Sequence, residues 1–375
     1  MLLRDPNSSV RTFLSRADIS IDGNRPWDIQ VRDPRFFERV LQGGSLGFGE
    51  SYLDGDWECD ALDEMFRRLA LVPKKGRKGN LEKYLFKTQH AFLNLQSKRR
   101  AHQVVDAHYD LSNVLFENML DPYMQYSCAH WQGTQDLNEA QIRKMDLICR
   151  KLELKPGLRV LEIGCGWGGF ASYMASTYGC HVTAVNISKE QIKVAREKCR
   201  DLPVNIVEKD YRDVDGVYDR VVSIAMFEAV GPKNYRQFME VAARSLKKDG
   251  LFLLHTIGEN KTRLHGDPWI LRYVFPNGHI PSIAQIGTAM EGLFVMEDWH
   301  NLSTDYDRTL MAWEERFVNN WEKIRADDPR FDERFFRLWR YYLLNCAGAF
   351  RARNLQLWQI VGSLHRSGRH YTRVV

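Results

Sequence analysis

Residues 159–169 read Arg-Val-Leu-Glu-Ile-Gly-Cys-Gly-Trp-Gly-Gly. The apolar Val160, Leu161 and Ile163 form a run of the kind buried in a sheet. The glycines after them allow a sharp turn into a helix and a close approach of backbone to a ligand. Downstream, short apolar segments at 181–185, 204–207, 218–225 and 251–257 alternate with helical patterns. Strands separated by helices predict a parallel, doubly wound α/β sheet. Beyond Gly258 a long insertion leads to helices around 307–325 and 330–345, and the alternation at 355–361 predicts one last strand. Upstream, Asp136 and Glu139 form a capping-box pattern for a helix with the apolar stripe Ile142, Met145, Cys149 and Leu152, closed by Pro156-Gly157.

The glycine loop alone leaves two cofactors open, because Gly164, Gly166 and Gly169 also fit the G-x-G-x-x-G dinucleotide pattern. A dinucleotide site needs an acid at the tip of the second strand to hold the ribose, and that tip is Asn186. Glu162, two residues ahead of the first glycine, instead resembles the acid of class I methyltransferases. This resemblance implies S-adenosylmethionine as the cofactor. It implies contacts from Glu162, Gly164 and Gly166, from Asn186, Ile187 and Gln191 after the second strand, and from Asp210 and Tyr211 after the third. Asn186 departs from the acid usual at its position: an amide can bond ribose hydroxyls but without charge assistance. Ser188 and Gln191 also read as a capping box for the next helix.

Of the 375 residues, 44% are apolar and 27% charged, and no stretch approaches the roughly 18 apolar residues of a membrane span. Arg4, Asp5 and Pro6 interrupt any secretory core, so the expected location is cytoplasmic. Seven cysteines, odd in number and never spaced as C-x-x-C, signal neither a disulfide framework nor a zinc site. Residues 1–72 read as a small α+β domain of their own. Ile19 and Ile21 precede the turn Asp22-Gly23-Asn24 of an expected hairpin, Asp33-Pro34 opens a helix that Gly43-Gly44 ends, and a second helix starts at Asp60. Residues 73–100 form a basic linker and amphipathic helix, and 101–375 the catalytic domain. Between Lys74 and Arg100, nine basic residues face the single acid Glu82, in a chain whose net charge is +5. Such a block suits an anionic membrane surface or a solvated linker, and its helix suits a membrane or its own protein core.

Five segments together resemble the cyclopropane-fatty-acyl-phospholipid synthases: HYDLSNVLFENMLDPYMQYSCAHW (108–131), VLEIGCGWGGFASYMA (160–175), SIAMFEAVG (223–231), YVFPNGHIPS (273–282) and YYLLNCAGAFRARNLQLWQ (341–359). The resemblance implies transfer of a methyl group to a cis double bond in an acyl chain of an intact phospholipid, then proton loss and ring closure. It implies bound bicarbonate as the base, held by the Cys128 backbone, Glu228, His255, the Ile257 backbone and Tyr306. It adds Tyr126 and Ser127 to the cofactor contacts and marks Cys346 as a landmark for which a catalytic role is an option. A homodimer, peripheral at the inner membrane surface and acting on unsaturated phospholipids in anionic membranes, is expected; nucleic acid is not a partner.

The residues make chemical sense of this reading. An alkene is a weak nucleophile and its methylated product a carbocation that water would destroy, so the site must be dry and must remove one proton quickly. Tyr126, Trp131, Trp167, Phe227, Trp269 and Phe275 are candidates for dry walls and cation–π stabilisation, or for ordinary core packing. Neither Cys128 nor Cys346 is needed as a nucleophile when the alkene attacks directly. The alternatives are a related methyltransferase making a methyl-branched lipid or methylating a small molecule, and a catalytically silent lipid-binding relative.

Overall fold

The computed structural model describes residues 5–73, 112–263 and 265–374. In the N-terminal part, Asp5 caps the helix Pro6–Ser15 by accepting the N–H groups of Asn7 and Ser8. The expected hairpin around Asp22-Gly23-Asn24 does not form. Ile21 makes one isolated bridge to Ile29, and the buried Asp28 carboxylate gathers the Ser20 and Arg25 N–H groups and the Arg25 guanidinium, tying the loop by a side chain instead of a ladder. The strands here are β1 (Gln30–Val31) and β2 (Trp57–Glu58), paired antiparallel. The helical span Arg35–Leu53 is broken at the expected end: Gly44, at φ 57° and ψ −130°, is non-helical, and a second helical stretch follows across the kink. The helix Leu62–Leu71 follows, with Asp63 and Glu64 in its first turn and Arg68 in its last, complementing the dipole.

The main sheet holds β3 (Arg159–Ile163), β4 (His181–Asn186), β5 (Val204–Glu208), β6 (Tyr218–Ile224), β7 (Leu246–Gly258), β8 (Phe294–Asn301) and β9 (Gln356–Leu364), in the order β5-β4-β3-β6-β7-β9-β8. Strands β3 to β7 are parallel. Strand β9 pairs antiparallel with β7, and β8 antiparallel with β9, so an antiparallel edge closes an otherwise parallel sheet. Strand β8 has no counterpart in the sequence reading. Its segment FVMEDWHN exposes Val295 and Met296 and shifts register between Met296 and Asp298, so an edge strand with a bulge hides the period-two signal. The expected insertion also contains the helices Pro268–Tyr273 and Ile283–Met290, and the helices Ser303–Asn319, Trp321–Asp327 and Glu333–Arg351 follow β8.

The helix Leu137–Lys151 begins as read, with Asp136 accepting from the Glu139 N–H; the Glu139 carboxylate bonds Thr134 and Arg143, so the reciprocal half of the capping box is replaced. Its buried face is rotated from the expected stripe. Ile142 is 40% exposed, whereas Gln141 and Lys144 are fully buried beside Met145, Ile148 and Cys149. The basic block 74–100 and its amphipathic helix lie outside the described residues, among which no helix is long and apolar enough to cross a membrane.

The N-terminal elements and the helix Glu333–Arg351 share one apolar core. The Phe66 and Tyr341 rings meet edge to face at 4.9 Å, and Arg351 joins Asp63 at 2.6 Å. Gly348 makes the approach possible: a Cβ there would lie 2.7 Å from the Arg67 nitrogen, the Asp63 carbonyl oxygen and the Phe66 Cβ. Gly348→Val must push the two helices apart, and overpacking of this kind typically costs about 1–3 kcal/mol. Urea unfolding should show that loss, and unchanged stability would mean the two helices do not meet there.

Candidate active site

The carboxyl ends of β3, β4, β6 and β7 open on one cavity of ≈ 250 Å³. Ligands of open α/β sheets bind in this crevice. The glycine loop forms its floor. Gly164 has φ +85°, and a Cβ there would strike Met226 at 2.7 Å; a Cβ on Gly169 would lie 1.8 Å from the Tyr123 carbonyl oxygen. The loop can therefore touch segment 123–127 only because Gly169 lacks a side chain, and Met226 only because Gly164 does.

Glu162 lines the cavity at 2% exposure, and its Oε2 has no hydrogen-bond partner among the described residues. Burial pushes its carboxyl up to about 8, against the opposing charge of Lys144. A buried acceptor left open beside a glycine loop fits a ligand with a cationic end.

Asn186 explains its own departure from an acid. Its Nδ2 donates to the Gly166 carbonyl at 3.2 Å and to Gln191 Oε1 at 2.9 Å, while its Oδ1 accepts the Ile187 N–H at 2.8 Å. An aspartate could not donate to the Gly166 carbonyl. Ser188 caps the next helix by accepting from the Gln191 N–H at 3.4 Å, and the Gln191 side chain turns to Asn186, leaving the capping box half made. Asp210 accepts the Arg212 N–H and pairs with its guanidinium at 3.1 Å, with Tyr211 buried beside it. All of these except Ser188 line the cavity, as do Ile187, Tyr126 and Ser127.

Glu228, Ile257 and Tyr306 line the same cavity. Glu228 follows β6 in a short 3₁₀ turn, and its Oε1 accepts the Ile257 N–H at 2.6 Å. That N–H is therefore engaged by the carboxylate. The other oxygen, Oε2, is buried without a hydrogen-bond partner among the described residues, and burial raises the acid's pKa, favouring its protonated form. Burial likewise raises the Tyr306 phenol well above its ordinary value, so it stays a donor.

His255 is fully buried within β7 and outside the cavity lining. Its Nδ1 lies 3.4 Å from Gln359 Nε2, its Nε2 has no partner among the described residues, and burial keeps it neutral. Glu228 Oε2, just after β6, and His255 Nε2, in the adjacent β7, are thus both buried without a hydrogen-bond partner among the described residues.

Cys128 and Cys346 also lie outside the lining. Burial raises the Cys128 thiol well above its ordinary pKa and pushes Cys346 up to about 12, so neither is a thiolate at neutral pH. Of the candidate aromatics, Tyr126, Trp167 and Phe275 line the cavity, whereas Trp131, Phe227 and Trp269 are core residues elsewhere. Tyr342, whose hydroxyl is 2.8 Å from that of Tyr126, joins the wall without having been singled out. Its quotation inside the 341–359 segment was the available signal. Gln125, Gln141 and Lys144 were missed because they read as ordinary polar positions.

The sequence profile of the mycolic acid cyclopropane synthetase family matches residues 96–360. The chain is 55% identical over 355 residues to the cyclopropane-fatty-acyl-phospholipid synthase of Escherichia coli (strain K12), covering 94% of this chain and 91% of that one. Among solved structures it resembles the cyclopropane synthase MmaA2 from Mycobacterium tuberculosis, with a TM-score of 0.65 at 30% identity over 70% of this chain and 98% of that one. The mycolic acid cyclopropane synthase CmaA1 complexed with SAH and CTAB gives a TM-score of 0.64 at 30% identity, with the same coverage.

Asn186→Asp sets a carboxylate against the Gly166 carbonyl and removes both amide donations. The expected loss of stability is about 1–3 kcal/mol, that of a buried acceptor left unpaired. Chemical denaturation reads it directly, and full stability would show that the amide does not hold the loop.

Proposed function

The chain belongs to the mycolic acid cyclopropane synthetase family, and on that premise we propose that it adds one carbon from S-adenosylmethionine across the cis double bond of an unsaturated phospholipid acyl chain, closing a cyclopropane ring. The observation that carries this reading is one aromatic-walled cavity lined by both Glu162, with its unpartnered carboxyl oxygen, and Glu228, Ile257 and Tyr306.

S-adenosylmethionine, when bound, supplies an electrophilic methyl group. Glu162 is suited to its cationic amino acid end, and the glycine loop with Asn186, Ile187, Gln191, Asp210 and Tyr211 forms the wall for its nucleoside. Tyr126, Trp167, Phe275, Tyr306 and Tyr342 exclude water and present ring faces to positive charge on the acyl chain. The neutral thiols of Cys128 and Cys346 take no covalent part.

Bicarbonate, when bound, supplies the base. Tyr306, His255, Glu228 and the Cys128 and Ile257 backbones are the residues that would hold it, and burial, which raises the Glu228 pKa, would reduce the repulsion between that carboxyl and an anion. A methyl-branched, still unsaturated chain is the second outcome, should the cation lose its proton from a neighbouring chain carbon instead of from the added methyl group.

The basic stretch 74–100 and the N-terminal unit are read as presenting the enzyme, as a peripheral homodimer, to anionic lipid at the cytoplasmic face. Vesicle binding should then weaken as salt shortens the Debye length to about 3 Å at 1 M. Binding indifferent to salt and lipid charge would remove this part of the account.

Purified protein, S-adenosylmethionine and vesicles of unsaturated phospholipid should yield acyl chains heavier by one CH₂, read by mass spectrometry. Glu228→Gln, His255→Ala and Tyr306→Phe should slow turnover by about 10²- to 10⁴-fold, the span of a lost general base, with little change in S-adenosylmethionine affinity. Near-normal turnover in all three, or wild-type activity unaffected by stripping carbon dioxide from buffer and protein, would eliminate the bicarbonate base.

A further inference from the structure

Lys144 sits in the middle of the helix Leu137–Lys151 with no exposed surface. A lysine is almost never buried so completely unless it is paired. Its Nζ donates to Gln125 Oε1 at 2.5 Å and to Ser127 Oγ at 3.1 Å, and both acceptors belong to residues of the cavity wall. One turn earlier on the same helix, Gln141 Nε2 donates to the carbonyls of Ser127 at 2.9 Å and Gln125 at 3.3 Å. From the other end, Asp121 accepts the N–H groups of Tyr123 and Gln125, each at 2.8 Å. Segment 121–127 is therefore held beneath by Lys144 and Gln141 and pressed on its far side against Gly169 of the glycine loop. The helix exposes Ile142 to bury these two polar residues. Such a local conflict with hydrophobic patterning marks a site where function overrides packing.

The positive charge of Lys144 also opposes the effect of burial on Glu162. We propose that Lys144 is a positioning residue for cofactor capture: it fixes the Gln125–Ser127 edge of the cavity and supplies a buried positive charge that favours ionisation of Glu162 toward the cationic end of the cofactor. This rests on the S-adenosylmethionine reading above and assigns a role to a residue outside the cavity lining.

The other titratable groups facing the pair are accounted for. Asp121, Cys128, Cys149 and His255 face Lys144, and Cys149, Cys165 and Cys199 face Glu162. Burial raises all four thiols and lowers His255, so these stay neutral, and Asp121 adds a negative charge on the lysine's side. Burial brings Lys144 down to about 8 and Glu162 up to about 8. The sign follows. Cofactor affinity rises with pH as Glu162 ionises, and removing the lysine charge moves that rise to higher pH.

Calorimetric titration of S-adenosylmethionine into the full-length protein, between about pH 6 and about pH 8.5, tests this. The cofactor's own amine titrates alike in every variant, so differences report on the protein. Lys144→Met should bind about tenfold more weakly at the acidic end for each unit by which Glu162 rises, with the loss shrinking as pH increases. Glu162→Gln should abolish the protein's share of the pH dependence, and adding Lys144→Met to it should produce no further displacement. A Lys144→Met profile parallel to wild type, whether uniformly weaker or unchanged, would overturn the proposal. Wild type that fails to bind at all would instead defeat the cofactor reading.

A reciprocal measurement needs no change at the lysine: the Lys144 Nζ resonance should titrate at lower pH in Glu162→Gln than in wild type. Coincident titrations would be equally fatal to the proposal.

Discussion

Keeping charged and polar groups ionisable inside a cavity that excludes water is the constraint around which this molecule is built. Glu162, Glu228, His255 and Lys144 are all buried at or beneath the carboxyl ends of β3, β6 and β7. Each would be costly there alone, since a buried charge or unpaired polar atom costs several kcal/mol unless compensated. Compensation comes from neighbours: the Ile257 N–H for Glu228, Gln125 and Ser127 for Lys144, and Lys144 for Glu162. The carboxyl oxygens left without a partner among the described residues, Glu162 Oε2 and Glu228 Oε2, belong to residues that line the cavity.

The dry wall also depends on the N-terminal elements, although none of their residues lines the cavity. Gly49 lies so close to Trp269 that a Cβ would stand 2.3 Å from the indole Cδ1, and Glu50 accepts the Tyr273 hydroxyl at 2.8 Å and pairs with Arg272 at 3.6 Å. These contacts seat the helix Pro268–Tyr273, which leads directly into the wall residues Phe275, Pro276 and Asn277. The shared core with Glu333–Arg351 carries the same support to Tyr342.

Much of this architecture was legible because burial on both faces makes parallel strands nearly continuous apolar runs. Strand β3 matches its sequence reading to the residue, and β4 to β6 differ from theirs by at most one residue at an end. Strand β8 was illegible because an exposed, bulged edge carries no such run. At Gly43-Gly44 the sequence signals a stop, but tertiary packing of Phe48, Tyr52 and Leu53 restarts the helix. The site divides in the same way. Glu162, Asn186, Glu228 and Tyr306 stand at strand ends or within quoted segments, whereas Lys144 and Gln141 look like solvent-facing residues until the helix is rotated against its apparent stripe. No local pattern encodes that rotation; the sheet and segment 121–127 impose it together.

In the proposed reaction, the carbon delivered to the double bond loses one hydrogen as a proton before the ring closes. The most direct measurement supplies S-adenosylmethionine bearing a fully deuterated methyl group to the enzyme with unsaturated phospholipid vesicles and weighs the acyl product. The account predicts that the added carbon arrives as CD₂, with the lost deuteron in solvent. A product that retains CD₃ as a methyl branch, or an acyl chain of unchanged mass, would contradict it.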